Sequence, residues 1–131
     1  MANIPQDLRY TRDHEWVRTE GATARVGITD YAQRQLGDIV FVELPGAGDR
    51  FEASEPFGSV ESVKSVTEIY APVAGSVRTV NETLSESPED VNSDPYGDGW
   101  LIEIEMADPK RLDDLLDAKA YHDFCAQEEA D

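Results

Sequence analysis

Apolar residues alternate with small or polar ones at Ala24, Val26 and Ile28, the period of a half-buried strand, and Trp16-Val17 across Gly21 supply its hairpin partner. Thr29 and Asp30 then offer capping oxygens. Gln33 follows three residues after Asp30, Ala32 and Leu36 share a helical face, and Gly37 supplies a stop, so a helix of two turns is predicted. Ile39 to Leu44 is almost continuously apolar, reads as a strand buried on both faces, and closes at Pro45-Gly46-Ala47-Gly48. From Phe57 to Val80 the chain is rich in Val, Ile, Thr and Ser, which predicts two or three short strands. Their apolar phase changes between Val60 and Val63, as a turn around Val63-Lys64 would require.

Residues 81–99 carry six carboxylates and neither Lys nor Arg, and are too long for an idle connection. They form either a structured excursion or a partner surface. Trp100, Ile102, Ile104 and Met106 then alternate with Leu101, Glu103 and Glu105, the cleanest strand pattern in the chain. Asp108-Pro109 opens a helix with Leu112, Leu115 and Leu116 on its apolar face, and a second helix follows from Ala118, with Tyr121 and Phe124-Cys125 facing in. C-terminal helices are thus expected over about 109–127. Residues 37–42 and 75–80 echo each other weakly, with apolar residues at their third and sixth places. The pattern as a whole predicts an α+β, mainly β domain.

A chain of 131 residues with 40% apolar and 30% charged positions is one ordinary domain, 1–131, able to bury one core. The formal charge of −17 repels phosphate backbones and anionic headgroups, which argues against nucleic acid and membranes as partners. One cysteine, Cys125, leaves no internal disulfide and fits a reducing compartment. No secretory pattern opens the sequence and no run approaches the ~20 apolar residues of a membrane span. A cytoplasmic protein is expected.

The usual catalytic templates fail. Gly46-Ala47-Gly48 begins like a dinucleotide fingerprint but lacks its third glycine and its helix. His14 and His122 stand at opposite ends of the chain with no third ligand spaced to help them hold a metal. His14 and Glu15, being adjacent on a strand, point to opposite faces and cannot act together on one atom. One lysine differs from the rest. Of three, Lys110 and Lys119 fall in the C-terminal helices, which leaves Lys64 alone in the β body, at a hairpin tip with Glu61 and Glu68 nearby. An amine held out on a rigid turn suits covalent modification, although an exposed lysine on a turn is also an ordinary surface feature.

The segment from Phe57 to Gly75 (FGSVESVKSVTEIYAPVAG) closely resembles the lipoylation segment of the glycine cleavage system H-protein family. Residues 10–17 (YTRDHEWV), 26–44 (VGITDYAQRQLGDIVFVEL) and 91–101 (VNSDPYGDGWL) resemble the family's other blocks, in order and at matching separations, so the likeness spans residues 8 to 125. It implies a flattened antiparallel β barrel or sandwich of the lipoyl/biotinyl-domain type, a barrel-sandwich hybrid of two similar halves. A short early helix, C-terminal helices and a hairpin tip at about 62–65 complete it. It further implies that Lys64 carries lipoic acid as lipoyl-lysine, that Glu61 and Gly75 are read by the lipoate-attaching enzyme, and that the loaded arm docks in a cleft near His14, Glu15, Ile28 and Glu68. Glu68 stands where the family often has aspartate. Biotin carriers present Met-Lys-Met at the equivalent turn, and Val63-Lys64-Ser65 lacks both methionines.

The function implied by the resemblance is that of a non-catalytic shuttle. It takes the aminomethyl group of glycine from a pyridoxal-phosphate glycine decarboxylase, delivers it to a tetrahydrofolate-dependent aminomethyltransferase, and is reoxidised by dihydrolipoyl dehydrogenase. The alternative is a lipoyl donor that relays lipoate to other lipoyl-dependent complexes. A monomer is expected, in the bacterial cytosol, or in the mitochondrial matrix if the chain is a processed eukaryotic form. A carrier that meets several enzymes in turn benefits from electrostatically steered, modest contacts, and the charge of −17 suits that. Raising the salt concentration is therefore expected to raise the apparent KM of glycine decarboxylase for this carrier; a KM unchanged from low to high salt would reject steering.

Overall fold

The computed structural model describes residues 3–130, and the side chains up to residue 128. Among the described residues nine strands form two antiparallel sheets. The first contains β1 (Arg9–Tyr10), β2 (Glu15–Glu20), β3 (Thr23–Ile28), β5 (Arg50–Phe51), β8 (Gly75–Val80) and β9 (Ile102–Met106), in the order β1-β2-β3-β9-β8-β5. The second contains β4 (Ile39–Glu43), β6 (Pro56–Ser62) and β7 (Val66–Tyr70), in the order β4-β6-β7. Three helices accompany them: α1 (Asp30–Leu36), α2 (Asp90–Ser93) and α3 (Ala118–Ala130). This is the mainly β, α+β architecture that the alternating pattern predicts, and the two echoing segments fall in β4 of one sheet and β8 of the other.

The main core lies between the sheets. Val26, Ile28, Val77, Ile102 and Ile104 from the larger sheet meet Ile39, Val42, Phe57, Val60 and Ile69 from the smaller one. Each such side chain removed from water contributes roughly 1.5–3 kcal/mol, which fixes the register of both sheets, because a slip of one residue would turn every one of them outward. A second, aromatic cluster of Tyr10, Trp16, Tyr31 and Tyr121 ties α3 to β1 and β2. Its tightest contact is the Tyr10–Tyr121 stack, with ring centroids 4.5 Å apart.

Two expectations are corrected. Ile39 to Leu44 is not buried on both faces. A β-bulge between Ile39 and Phe41 sets two residues, Val40 and Phe41, against Glu61 of β6, so the side-chain phase resets within the strand. Ile39 and Val42 point into the core, whereas Val40 and Phe41 are exposed. Continuous apolarity cannot reveal a bulge, because apolar residues on either side of it look alike.

The first C-terminal helix is also shorter and tighter than expected. Asp108 caps a 3-10 turn over Pro109–Asp114, and Leu115 and Leu116 lie beyond it. Leu116 instead pairs with Tyr10, each backbone N–H donating to the other's carbonyl at 2.8 Å. That bridge uses the amide a longer helix would need, and the chain restarts as a helix at Ala118, with the Asp117 carboxylate accepting from the Ala120 N–H at 2.8 Å.

Residues 81–99 form a structured excursion: a 3-10 turn over Glu82–Ser85, then α2, then turns. It packs back on the fold through Leu84 and Val91, both fully buried, and through the Pro95 carbonyl, which accepts the Trp16 indole N–H at 2.9 Å.

Gly75 opens β8 opposite Met106 of β9. A Cβ there would overlap the backbone oxygen of Glu105 and press on an Ile104 methyl carbon, so only glycine lets the two strands approach. Gly75→Ala is expected to lower stability by about 2–3 kcal/mol, read as a fall in the urea midpoint; an unchanged midpoint would contradict this packing.

Candidate functional site

The three residues after β6 make the tip that carries Lys64. The Ser62 N–H donates to the Ser65 carbonyl at 2.8 Å, closing the turn. The Ser62 hydroxyl oxygen, on a side chain that is itself buried, accepts from the backbone N–H groups of Lys64 at 3.2 Å and Ser65 at 3.1 Å. A serine side chain thus fastens this turn, where the commonest hairpins instead rely on the positive φ of an Asn-Gly pair. The Val63 N–H donates to the Asp38 carbonyl at 3.0 Å, which moors the tip to the corner between α1 and β4.

That corner is itself pinned. Thr29 caps α1 by accepting from the Ala32 N–H, and Gly37 ends it at φ 82°, a conformation glycine adopts without strain. Asn92 of α2 accepts from the Ile39 N–H at 2.8 Å and donates to the Gly37 carbonyl and to the Gln33 side chain, both at 2.9 Å. Lys64 then lies across Gly37: its Cε stands 3.2 Å from where a Cβ at that position would be. The lysine is exposed, and no described carboxylate forms an ion pair with it.

Glu61 and Glu68 project from the outer face of the small sheet. Phe41, Glu61 and Val66 are in register across β4, β6 and β7, and Glu43, Ser59 and Glu68 form the next row on the same face. Tyr70, at the end of β7, donates its hydroxyl to Glu68 at 3.4 Å, and its backbone N–H donates to the Glu15 carboxylate at 3.1 Å. Glu15 and Glu68 are thereby linked along one edge. About 13 Å of extended chain separates Lys64 from Glu68.

Glu15 is almost wholly buried, with 1% of its surface exposed, and also accepts from the Thr11 hydroxyl at 2.7 Å. Burial raises its pKa to about 7, against the two hydrogen bonds, which favour the ionised form. It borders a cleft of about 210 Å³ lined by Thr11, Asp13, Ser54 and Pro72 among others.

The other candidates point elsewhere. His14 sits at φ 67° just before β2 and faces α3, with Nδ1 2.7 Å from the Tyr121 hydroxyl and Nε2 2.7 Å from a Glu128 carboxylate oxygen. Its ring also stacks on Tyr31. Ile28 lies in the main core as the β3 partner of Glu15, and Gly75 is buried in the larger sheet. Glu61 and Glu68 therefore share the outer face of the small sheet, Lys64 leaves its hairpin tip over Gly37, Glu15 meets the end of β7, and His14, Ile28 and Gly75 lie elsewhere.

Among the described residues no three His, Cys, Asp or Glu side chains gather as a metal site, and no helix is long and apolar enough to cross a membrane. The family model described as glycine cleavage H-protein matches residues 8–128. The chain belongs to the glycine cleavage H-protein family.

Glycine cleavage system H proteins from Anaeromyxobacter sp. (strain K) and Halalkalibacterium halodurans show the extent of the match. The first is 56% identical over 126 residues, covering 96% of this chain and 98% of the relative. The second is 53% identical over 128 residues, covering 98% and 100%. The crystal structure of a glycine cleavage system H protein from Mycobacterium marinum superposes with a TM-score of 0.82 at 38% identity, covering 96% of this chain and 99% of that one. As a family member the chain is a carrier subunit of glycine cleavage and not a catalyst.

Sequence reading missed the residues that make the H-protein tip rigid: Ser62, Asp38 and Asn92. Ser62 carried a local signal, a hydroxyl two residues before the tip lysine, whereas Asn92 acts 53 residues from Ile39 and left none.

The buried carboxyl predicts a pH signature. Its pKa is higher in the folded chain, about 7, than its ordinary value of 4.5, so the unfolded chain loses this proton first and native stability falls as pH rises from 4.5 to 7, then levels off. Glu15→Gln, which cannot ionise, is expected to gain about 2 kcal/mol relative to the parent between pH 5 and pH 8. Urea titrations at the two pH values measure it, and a gap independent of pH would show that Glu15 stays ionised when buried.

Proposed function

We propose that this chain is the lipoyl carrier of a glycine cleavage system, with lipoate joined by an amide to Nζ of Lys64. The observation that carries the reading is the exposed lysine at the end of a hairpin whose every backbone amide from Ser62 to Ser65 has a partner. The site fits the group: the amine is open to solvent and free of ion pairs with described carboxylates, while the turn beneath it is fixed. When attached, lipoate supplies a long flexible arm ending in a cyclic disulfide, the redox-active and group-accepting part of the carrier.

The chain's own residues supply placement and shelter. Ser62 and Asp38 fix the direction from which Lys64 leaves the fold, and amide formation removes its positive charge from a face already holding Glu43, Glu61 and Glu68. Glu15 and Glu68 are the residues that border an arm laid back along β7, and with a pKa of about 7 the Glu15 carboxyl holds or releases a proton near neutral pH. His14 and Ile28 act behind them, holding β2 and β3 in place. Glu61, exposed on β6, is offered to the lipoate-attaching enzyme, and Gly75 serves by letting β8 and β9 close.

Glycine decarboxylase, aminomethyltransferase and dihydrolipoyl dehydrogenase are the enzymes this carrier serves in turn, as a monomer in the cytosol. The intact mass of protein made with lipoate and a lipoate-attaching enzyme, beside Lys64→Arg, tests this. One lipoyl increment lost in the variant is expected, together with glycine-dependent CO2 exchange by the loaded form alone. An unmodified mass in both would reject the carrier reading.

A further inference from the structure

The chain is strongly acidic, yet three of its arginines converge at one place on the larger sheet. Arg18 of β2 stands directly opposite Arg25 of β3, which stands directly opposite Glu103 of β9, so all three project from one face. Their neighbours Val17, Ala24 and Ile102 are buried, which makes that face the outer one. A bulge in β8 between Val77 and Thr79 leaves Arg78 out of register, and its guanidinium reaches over β9 to donate to the Thr23 hydroxyl of β3 at 3.1 Å. Together with Glu20 these side chains line a cleft of about 380 Å³ at the turn end of the β2–β3 hairpin. Glu15 lies at the other end of β2, about 17 Å of extended chain from Glu20.

Each guanidinium is held in place by a contact that leaves it donors to offer. Arg18 lies 5.2 Å over the Trp16 ring and donates to the Tyr96 carbonyl at 3.0 Å. Arg25 lies 4.5 Å over the Trp100 ring and donates twice, at 3.0 and 3.1 Å, to one Glu103 oxygen, a pairing that neutralises it. No described carboxylate forms an ion pair with Arg18 or Arg78. Of the five N–H groups that an arginine carries, each of these two gives only one to the fold. Two arginines directly opposite each other across a strand pair repel, so an anion placed against them relieves a cost the sheet otherwise bears.

We propose that this cleft binds a tetrahedral oxyanion, inorganic phosphate or the phosphate group of a small ester, between Arg18 and Arg78. The site stands apart from Lys64 and fills whether or not the lysine carries lipoate. Charge and shape select the ligand. A phosphate monoester carries about −1.5 to −2 near pH 7, which matches two guanidinium groups that lack a carboxylate. Their forks arrive from β2 and β8, with β3 and β9 between them, and a tetrahedral group accepts from several directions where a planar carboxylate is satisfied by a single fork. A protein partner fits less well. The large apolar side chains that the described residues expose, Val40, Phe41, Val63 and Val66, all belong to the small sheet and its hairpin, so this cleft lacks the apolar centre of an interface.

The test uses the full unloaded chain, whose two tryptophans are the rings beneath Arg18 and Arg25 and so report on the cleft directly. Their emission is followed as inorganic phosphate, glycerol phosphate or succinate replaces chloride at a constant ionic strength of about 0.15 M, where the net charge of the chain is screened beyond about 8 Å. A saturable change with Kd below about 1 mM is expected for at least one of the two phosphates, and the tighter of them names the source. Arg18→Gln and Arg78→Gln are each expected to weaken it at least tenfold. Arg78 is exposed, so its variant keeps the test valid if loss of the Arg18 contact to Tyr96 disturbs the fold. Phosphate is also expected to raise the urea midpoint of the parent but not of Arg78→Gln, a readout independent of the tryptophans. No saturation by either phosphate up to about 20 mM, or a titration that Arg78→Gln leaves unchanged, would overturn the site. Succinate bound as tightly as phosphate would overturn the choice of ligand.

Discussion

A three-residue tip exposed on all sides can present a side chain at a defined point only if its own amides are held, and here that rests on the hydrogen bond from Val63 to Asp38. The Ser62 hydroxyl settles the shape of the turn, but a well-shaped turn at the end of a two-stranded ribbon would still sway. The bond to Asp38 joins it to the α1–β4 corner, and Asn92 joins that corner to α2. Each link is worth about 1 kcal/mol net, yet together they connect the tip to the body through the α1–β4 corner and α2, which are far apart in sequence. The excursion over residues 81–99 thus gains a purpose: through Asn92 it braces the ground on which Lys64 stands.

The body is organised around a second constraint, the burial of a carboxyl at the start of β2. Thr11 and Tyr70 satisfy Glu15, while His14 before it turns outward to α3 and is caught between Tyr121 and Glu128. Two neighbouring residues therefore face opposite sides, and the positive φ of His14, just outside β2, is what turns its ring away from Glu15. The aromatic cluster under α3 holds the N-terminal end of β2 in place, and with it the spot where Glu15 meets β7. Removal of α3 would disturb that meeting point from a distance.

Much of this was legible in the chain. Alternation placed β2, β3 and β9, the caps at Thr29 and Gly37 placed α1, and the shift of phase between Val60 and Val63 placed the hairpin. The one lysine of the β body singled out the tip, and the resemblance of four sequence blocks pointed to lipoate. What escaped shares a physical cause: it depends on hydrogen bonds between residues distant in sequence, or on irregular backbone. The bulge in β4 hid inside an unbroken apolar run. The bridge between Tyr10 and Leu116 cut short a helix that local signals favoured, and the reach of Asn92 to Ile39 has no local trace.

The bulge has a further effect on how copies of the protein meet. The small sheet has two open edges, β4 and β7, and an apolar strand at an open edge is a template on which another chain can add. Val40 interrupts the even spacing of amides and carbonyls along β4, so a straight strand laid beside it cannot pair over more than a residue or two. Glu43 on one edge and Glu68 on the other repel the same residues of an approaching copy. The bulge and the two carboxylates thus oppose edge-to-edge pairing of copies through the small sheet, even where its apolar end is uncovered.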